Sequence, residues 1–323
     1  MTDRRKHRPH AKNNMRILIT GSRGFMGGSL GRLASQAGHE LLGISLSSQP
    51  ERDWIGQHLR ADATCANLVP VIREFKPDVV FHAVGLASVQ ASFKSPVEDF
   101  RIATLSWSHL LDCVRRSGHR PLIFFPSSAA VYGNPVKLPV NEQGVIAPIS
   151  PYGFHKAACE LLAREYAQCF GLHVVVCRFF SIFGAAQRRL IIWELYQQLT
   201  GANATVWLEG TGHESRDFLD IQDAVDAVLQ LGAKLPRRQQ GNCVVINIAR
   251  GEETRILDLA LTVSDMVAPK KKIRSRGLPR QGDPVRWHAD VSLLQSLLPK
   301  WRAHTLPDSI ARCLATWRNG SRG

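Results

Sequence analysis

The sequence predicts an α/β fold, a doubly wound parallel sheet with a smaller C-terminal lobe interleaved with it. Three observations lead there. Short apolar runs alternate with segments of helical periodicity through the first half of the chain. A glycine triplet follows the first apolar run and opens the first helical segment. After Gly184 the alternation degrades into a mixture of strand-like and helix-like stretches. Strands separated by helices pair in parallel, because each crossover brings the chain back to the same end of the sheet.

The elements follow in order. Residues 1–14, MTDRRKHRPHAKNN, are basic and have almost nothing apolar to bury, so a disordered tail is expected. MRILIT (15–20) is a short apolar run ending at glycine, a strand. GGSLGRLASQAGH sets Leu30, Leu33, Ala34 and Ala37 at helical spacing. ELLGISL is a second strand, and ANLVPVIREFKP is a helix stopped by Pro77. DVVFHAVG is a third strand. PVEDFRIATLSWSHLLDCVRRSG is one long helix ending at Gly118, with Arg115 and Arg116 in the last turn, where cations suit the helix dipole. PLIFFPSS is a fourth strand, PYGFHKAACELLAREYAQCFG a further helix, and HVVVCRFFSIFG a fifth strand. Beyond Gly184, RLIIWELYQQL, IQDAVDAVLQLGAKL, RILDLALTVSDMV and LPDSIARCLATW are helical, while ATVWLEG and CVVINIA are strands.

The composition suits this class. The 323 residues are 44% hydrophobic and 21% charged, the balance of a soluble globular protein. No apolar run approaches the roughly 20 residues that span a membrane. The basic start has neither the long apolar core nor the cleavage site of a signal peptide, so a cytoplasmic location is expected. Seven scattered cysteines with no C-x-x-C pair and no histidine cluster are expected to be reduced packing residues, with no metal site. Part of the net charge of +14 lies in the tail and part in PKKKIRSRGLPRQ (269–281). Such charge suits either a polyanion or a cleft for a small anion. Neither segment has the interleaved aromatics of a single-strand binder, so nucleic acid is not the expected partner.

Gly21, Gly24 and Gly27 stand at steps of three between the first strand and the first helix. A helix starting there exposes unpaired N–H groups and a partial positive charge, and a pyrophosphate fits if side chains are missing. Gly21 allows the tight turn, Gly24 the close approach and Gly27 the packing of helix on strand. This is a dinucleotide site of the Rossmann type, with one residue more between the first two glycines than the usual fingerprint. The chain then divides into the tail (1–14), a dinucleotide-binding domain (15–180) and a substrate lobe (181–323). The acid expected at the end of the second strand is absent: Ser45 stands there, with no carboxylate between Glu40 and Glu51. With Arg23 and Arg52 available, a 2′-phosphate is tolerable, so the cofactor is NAD or NADP. Asp62 is suited either to the adenine amino group or to a surface turn.

Tyr152 and Lys156, four apart in SPYGFHKAACE, share one face of a helix. A tyrosine hydroxyl is a poor base at neutral pH, and a nearby lysine with an oxidised nicotinamide favours its phenolate. Ser128, ending the fourth strand in FFPSSAAVYG, can hydrogen-bond the reacting oxygen. Together these form a proton relay for hydride transfer at a carbinol or ketone.

With these pieces on one chain, residues 15 to about 318 resemble the extended short-chain dehydrogenase/reductases, the NAD-dependent epimerase/dehydratase family that acts on nucleotide sugars. TGSRGFMG, FHAVGLASVQASFKSP, SSAAVYG, SPYGFHK, RFFSIFG, RDFLDIQDAVDAVL, INIARGEETRILDLA and RQGDPVRWHAD carry the likeness in order. The resemblance implies Ser128, Tyr152 and Lys156 as the catalytic triad. It implies Phe25, Met26 and Ala83 as further cofactor contacts, and Ser88, Ser128, Ser181, Arg216 and Arg280 as substrate contacts. The two arginines suit a diphosphate, which a guanidinium grips with two bonds. It also implies a homodimer, through the long helix and the Tyr152 helix.

Departures from the family narrow the reaction. Ala129 and Ala130 replace the acid pair of the dehydratases, and Ala130 also replaces the cysteine of the fucose-synthase type. Ala103 and Ser181 stand where the family has asparagines. Epimerisation at C4 is the expected reaction; an NADPH-dependent 4-ketoreductase and a non-catalytic dinucleotide-binding protein are the alternatives.

Overall fold

The computed structural model describes residues 14–49, 54, 56–236, 241–278 and 280–320. The basic tail up to residue 13 and Arg52 lie outside the described residues. Among the described residues seven strands form the main sheet: β1 (Arg16–Thr20), β2 (Glu40–Ser45), β3 (Gln57–Arg60), β4 (Val79–His82), β5 (Leu122–Ser128), β6 (His173–Phe179) and, much later in the chain, β10 (Asn242–Ile248). Their order is β10-β6-β5-β4-β1-β2-β3, all parallel. Ile17, Leu18 and Ile19 are wholly buried because β1 is covered on both faces, which is why it reads as an unbroken apolar run.

One face of the sheet packs on α1 (Phe25–Gln36) and α8 (Ile221–Lys234) through Leu30, Ala34, Val228 and Leu231. The other packs on α2 (Val69–Phe75), α5 (Ser106–Ser117) and α6 (Pro151–Phe170) through Ile72, Trp107, Leu111 and Ala163. A third core, separate from these, joins α7 (Leu190–Thr200), β8 (Thr205–Leu208), β9 (Ser215–Asp220), α9 (Ile256–Val267) and α11 (Leu306–Gly320). The remaining strands are β7 (Ser181–Phe183), β11 (Glu253–Arg255) and β12 (Lys272–Ser275), in sheets ordered β11-β9-β7 and β12-β8. Short helices α3 (Val89–Lys94), α4 (Pro96–Phe100) and α10 (Ser292–Leu297) and a 3₁₀ turn after β5 (Ala129–Tyr132) lie between these.

The structure departs from the sequence reading at four places. The long helix is α4 and α5 joined by a π turn over Arg101–Leu105. There the Ser106 hydroxyl donates to the Ile102 carbonyl, and the Cys159 thiol approaches the Ala103 carbonyl at 3.6 Å. The first is a local alternative to the regular helix ladder; the second reaches across from α6. HVVVCRFFSIFG is two strands: after Phe179 the chain leaves the main sheet, and β7 pairs with β9. β3, with only Leu59 packed on a core, shows too little alternation to be seen in the sequence. The packing reading suits Cys113, Cys159, Cys177 and Cys313, which are buried, but Cys65 and Cys169 are exposed.

Candidate active site

The glycine loop is built by close backbone contact. Gly21 adopts φ +71°, and a Cβ there would lie 2.7 Å from the Ala83 carbonyl carbon and oxygen. Gly27 presses on the loop itself, where a Cβ would lie 2.4 Å from the Gly21 carbonyl oxygen. Gly24 differs. It is the N-cap of α1, with no side-chain cap and no acid in the first turn. A Cβ there would meet only the Gly21 oxygen, at 3.2 Å. The loop therefore leaves an open cradle of unpaired N–H groups at the positive end of a helix, and these residues fit a dinucleotide pyrophosphate.

Arg23 is exposed, and its guanidinium donates to the Gln49 carbonyl beyond β2. Ser45 ends β2, and its hydroxyl accepts the Ser47 N–H at 3.3 Å. Asp62 follows β3. Its carboxylate accepts the N–H and hydroxyl of Thr64 at 2.9 and 2.7 Å, and these bonds hold it below the usual carboxylate range. Since β1, β2 and β3 are neighbours, the sheet brings these three residues to one edge, around the end of the cradle.

A cleft of about 1240 Å³ opens between the main sheet and the third core, and Arg23, Ser45 and Asp62 are not among the residues that line it. Gly24, Phe25, Met26 and Ala83 line it, as do Ser128, Tyr152 and Lys156. Ser88, Ser181, Arg216 and Arg280 line it from other sides. Gly21 and Gly27 stand behind the lining and shape the loop.

Tyr152 and Lys156 come from the first turns of α6. Ser150 caps that helix by accepting the Gly153 N–H at 3.2 Å, and Pro151 takes the first position, where no N–H is needed. The Lys156 ammonium is buried. It donates to the Pro126 carbonyl at 2.7 Å and lies 4.8 Å from the Phe125 ring centre and 5.7 Å from that of Tyr152. Ser128 ends β5; its Oγ accepts the Ala130 N–H at 3.2 Å and keeps its own proton to donate. Ser88 caps α3 by accepting the Ala91 N–H at 3.1 Å, and it too keeps its hydroxyl proton.

On the far side Arg216 stacks over Trp287, 5.4 Å from the ring centre, and donates to the Ser215 carbonyl at 2.8 Å. Burial pulls its pKa below the usual arginine range, opposed by Asp283 and Glu214. Burial likewise raises Asp283, opposed by Arg216 and Arg280. A half-buried cation facing a cleft is ready to take an anion.

Sequence reasoning missed what holds the site. Arg178 is wholly buried and makes two bonds to Glu160, at 3.0 and 2.7 Å, and one to the Tyr132 hydroxyl at 2.8 Å. Tyr132 in turn donates to Asn247 at 2.7 Å, tying β10 to the turn after β5. Beside Lys156, His82 is wholly buried between Thr20 and Ser106, at 2.8 and 3.1 Å. The Ser106 hydroxyl gives its proton to Ile102, so it accepts from His82 Nε2–H, and Nδ1 accepts from Thr20. Burial, aided by Lys156, drives the His82 pKa down to about 3. A lone His or Arg within a strand-like run carried no signal of these partners.

Comparison with known proteins agrees with the geometry. The NAD dependent epimerase/dehydratase family matches residues 17–249. The chain is 26% identical to the UDP-glucose 4-epimerase of Mycolicibacterium smegmatis, covering 95% of this chain and 100% of that one. It is 28% identical to the GDP-6-deoxy-D-mannose reductase of Pseudomonas aeruginosa, covering 76% and 91%. Among solved structures, MoeE5 in complex with UDP-glucuronic acid and NAD superposes with a TM-score of 0.84 at 26% identity, over 94% of this chain and 99% of that one. Sheet, glycine cradle and family match converge: the chain is an enzyme of the NAD-dependent epimerase/dehydratase family.

Proposed function

We propose that this enzyme epimerises a nucleotide sugar at C4, with Ser128, Tyr152 and Lys156 as its catalytic groups. The observation that carries the reading is the cleft itself. The tyrosine and lysine of α6 and the serine ending β5 line the same space as the uncapped N-terminus of α1 and the cationic pair Arg216 and Arg280. A nicotinamide dinucleotide, NAD or NADP, bound in the cradle supplies the hydride acceptor and donor. Tyr152 takes and returns the proton of the sugar hydroxyl. Lys156, held by Pro126, balances the negative charge that develops on the tyrosine oxygen. Ser128 donates to the reacting oxygen. Arg216 and Arg280 grip the diphosphate, and Ser88 and Ser181 line the sugar end. Ala129 and Ala130 offer no acid for dehydration.

The test is turnover of UDP-glucose to UDP-galactose by the purified protein with NAD⁺. Tyr152→Phe is expected to lower kcat by about 10²-fold or more. Unchanged turnover in that variant overturns the catalytic assignment. A second reading, NADPH-dependent reduction of a 4-keto sugar, is favoured by Arg23 beside a β2 end that carries Ser45 in place of an acid. Stoichiometric consumption of NADPH would select it.

We further propose a homodimer through α4, the π turn and α6. Val97, Phe154 and Leu161 are 80%, 60% and 68% exposed, and Phe100 and Leu105 lie beside them in the chain or the fold. Such an apolar face suits a subunit contact. Among the described residues no helix is long and apolar enough to cross a membrane.

A further inference from the structure

Tyr152 is held by more than its own helix. Its backbone N–H, one of those that the start of α6 leaves without a partner in the helix, donates to Ser92 Oγ at 3.1 Å. Ser92 is wholly buried in α3, and its hydroxyl donates to the Val89 carbonyl at 2.7 Å. The catalytic helix is thus capped twice: by Ser150 from its own chain segment, and by Ser92 from across the fold.

The other side of α3 meets the substrate lobe. Val89, Gln90 and Ala91 line the cleft together with Arg280 and Asp283. The Gln90 side-chain amide donates to the Gln281 carbonyl at 3.2 Å, joining residues far apart in sequence. Gly282 adopts φ +77°, and a Cβ there would lie 2.5 Å from Phe93 Cε2 and 3.0 Å from Val89 Cγ1. The loop that carries Arg280 therefore rests directly on α3, at a spot with no room for a side chain. One short helix touches the anion-gripping loop on one side and the amide of the catalytic tyrosine on the other.

We propose that α3 couples the two ends of the cleft: a nucleoside diphosphate at the Arg280 end tightens the existing contact of Gly282 with Phe93 and Val89, and Ser92 passes that restraint to Tyr152. Ser92 is a positioning residue, acting through the tyrosine it holds. Gln90 and Gly282 are the clasp that reports ligand at the far end. This deepens the reading of the cleft as a nucleotide-sugar site and rests on it. It explains why a ligand part remote from the reacting carbon can raise kcat: binding energy gained at the diphosphate orders the base.

The experiment reads the tyrosine amide itself. Hydrogen exchange at single-residue resolution is measured on the full chain, with and without UDP as the probe, beside calorimetric titration of UDP. UDP is expected to slow exchange of the Tyr152 amide at least fivefold in the wild type. In Gln90→Ala and Gly282→Ala that slowing is expected to fall to twofold or less. In Ser92→Ala the amide exchanges faster than in the wild type even without UDP, and Ser92→Thr restores it. With UDP-glucose as substrate, Ser92→Ala lowers kcat about tenfold while KM stays within twofold, with kcat referred to the sites counted by the calorimetric titration so that loss of folded protein does not enter.

UDP that binds yet leaves Tyr152 exchange unchanged overturns the coupling and leaves the site reading standing. Protein that binds none of UDP, GDP, dTDP and CDP overturns the site reading, and the coupling with it. Equal slowing in wild type and clasp variants also overturns it.

Discussion

Replacing Gly24 and Gly27 separately by alanine distinguishes a loop built for a ligand from one built only for itself. At Gly27 the new Cβ would stand 2.4 Å from the Gly21 carbonyl oxygen, where even tight contacts rarely fall below 3.0 Å. The start of α1 must retreat from the loop by about 0.6 Å or more, an overpacking that costs about 1–3 kcal/mol. In a protein of this size that lowers Tm by several degrees, at roughly 2–4 °C per kcal/mol. The N–H groups that would meet the pyrophosphate move with the helix, so cofactor affinity is also expected to fall, by about tenfold. At Gly24 the Cβ meets only one atom, at 3.2 Å, and φ is −72°. Alanine there needs the Gly21 oxygen to give by only a few tenths of an ångström, a cost offset by about 0.4–1 kcal/mol from a less flexible unfolded chain, so the unliganded fold should keep its stability to within about 1 kcal/mol. The added methyl instead occupies the cradle, so cofactor affinity falls at least tenfold. Thermal melts and fluorescence titration with NADH and NADPH measure both quantities. Wild-type cofactor affinity in Gly24→Ala refutes the cradle; an unchanged Tm in Gly27→Ala refutes the contact argument.

Further predictions follow from the surroundings of the site. Glu160→Gln removes the charge that compensates buried Arg178, and urea unfolding is expected to show a loss of about 3–5 kcal/mol; a loss below about 1 kcal/mol would mean water reaches that pair. His82 has its folded pKa, about 3, below the unfolded value of 6.5, so the unfolded chain binds more protons between these values. Stability from this group is intact above about pH 6.5 and lost as pH falls toward 3, by up to about 1.4 kcal/mol per unit. His82→Gln should flatten that part of the pH–stability curve, and an unaltered curve assigns the acid sensitivity elsewhere. Arg23→Ala is expected to weaken NADPH binding far more than NADH binding; equal losses would make the arginine a bystander to cofactor choice.

The alternation of apolar runs and helical segments was enough to predict the parallel sheet, because burial on both faces writes itself into local composition. β1, β5 and α6 could be read directly, as could the glycine loop and the spacing of Tyr152 and Lys156. These features depend on residues close together in the chain: a turn that admits no side chain, a helix turn that aligns two groups. Proximity across the fold was not legible. Neither π turn nor strand break could be seen, since a lone serine or a change of neighbouring strand leaves no period in the sequence. Ser92, His82 and Arg178 acquire their roles from partners up to scores of residues away. Residues close in the chain are enough to suggest a dinucleotide loop and a paired tyrosine and lysine; the contacts that hold them arise only in the fold, because hydrogen bonds and desolvation depend on distance in space, and only folding sets that distance.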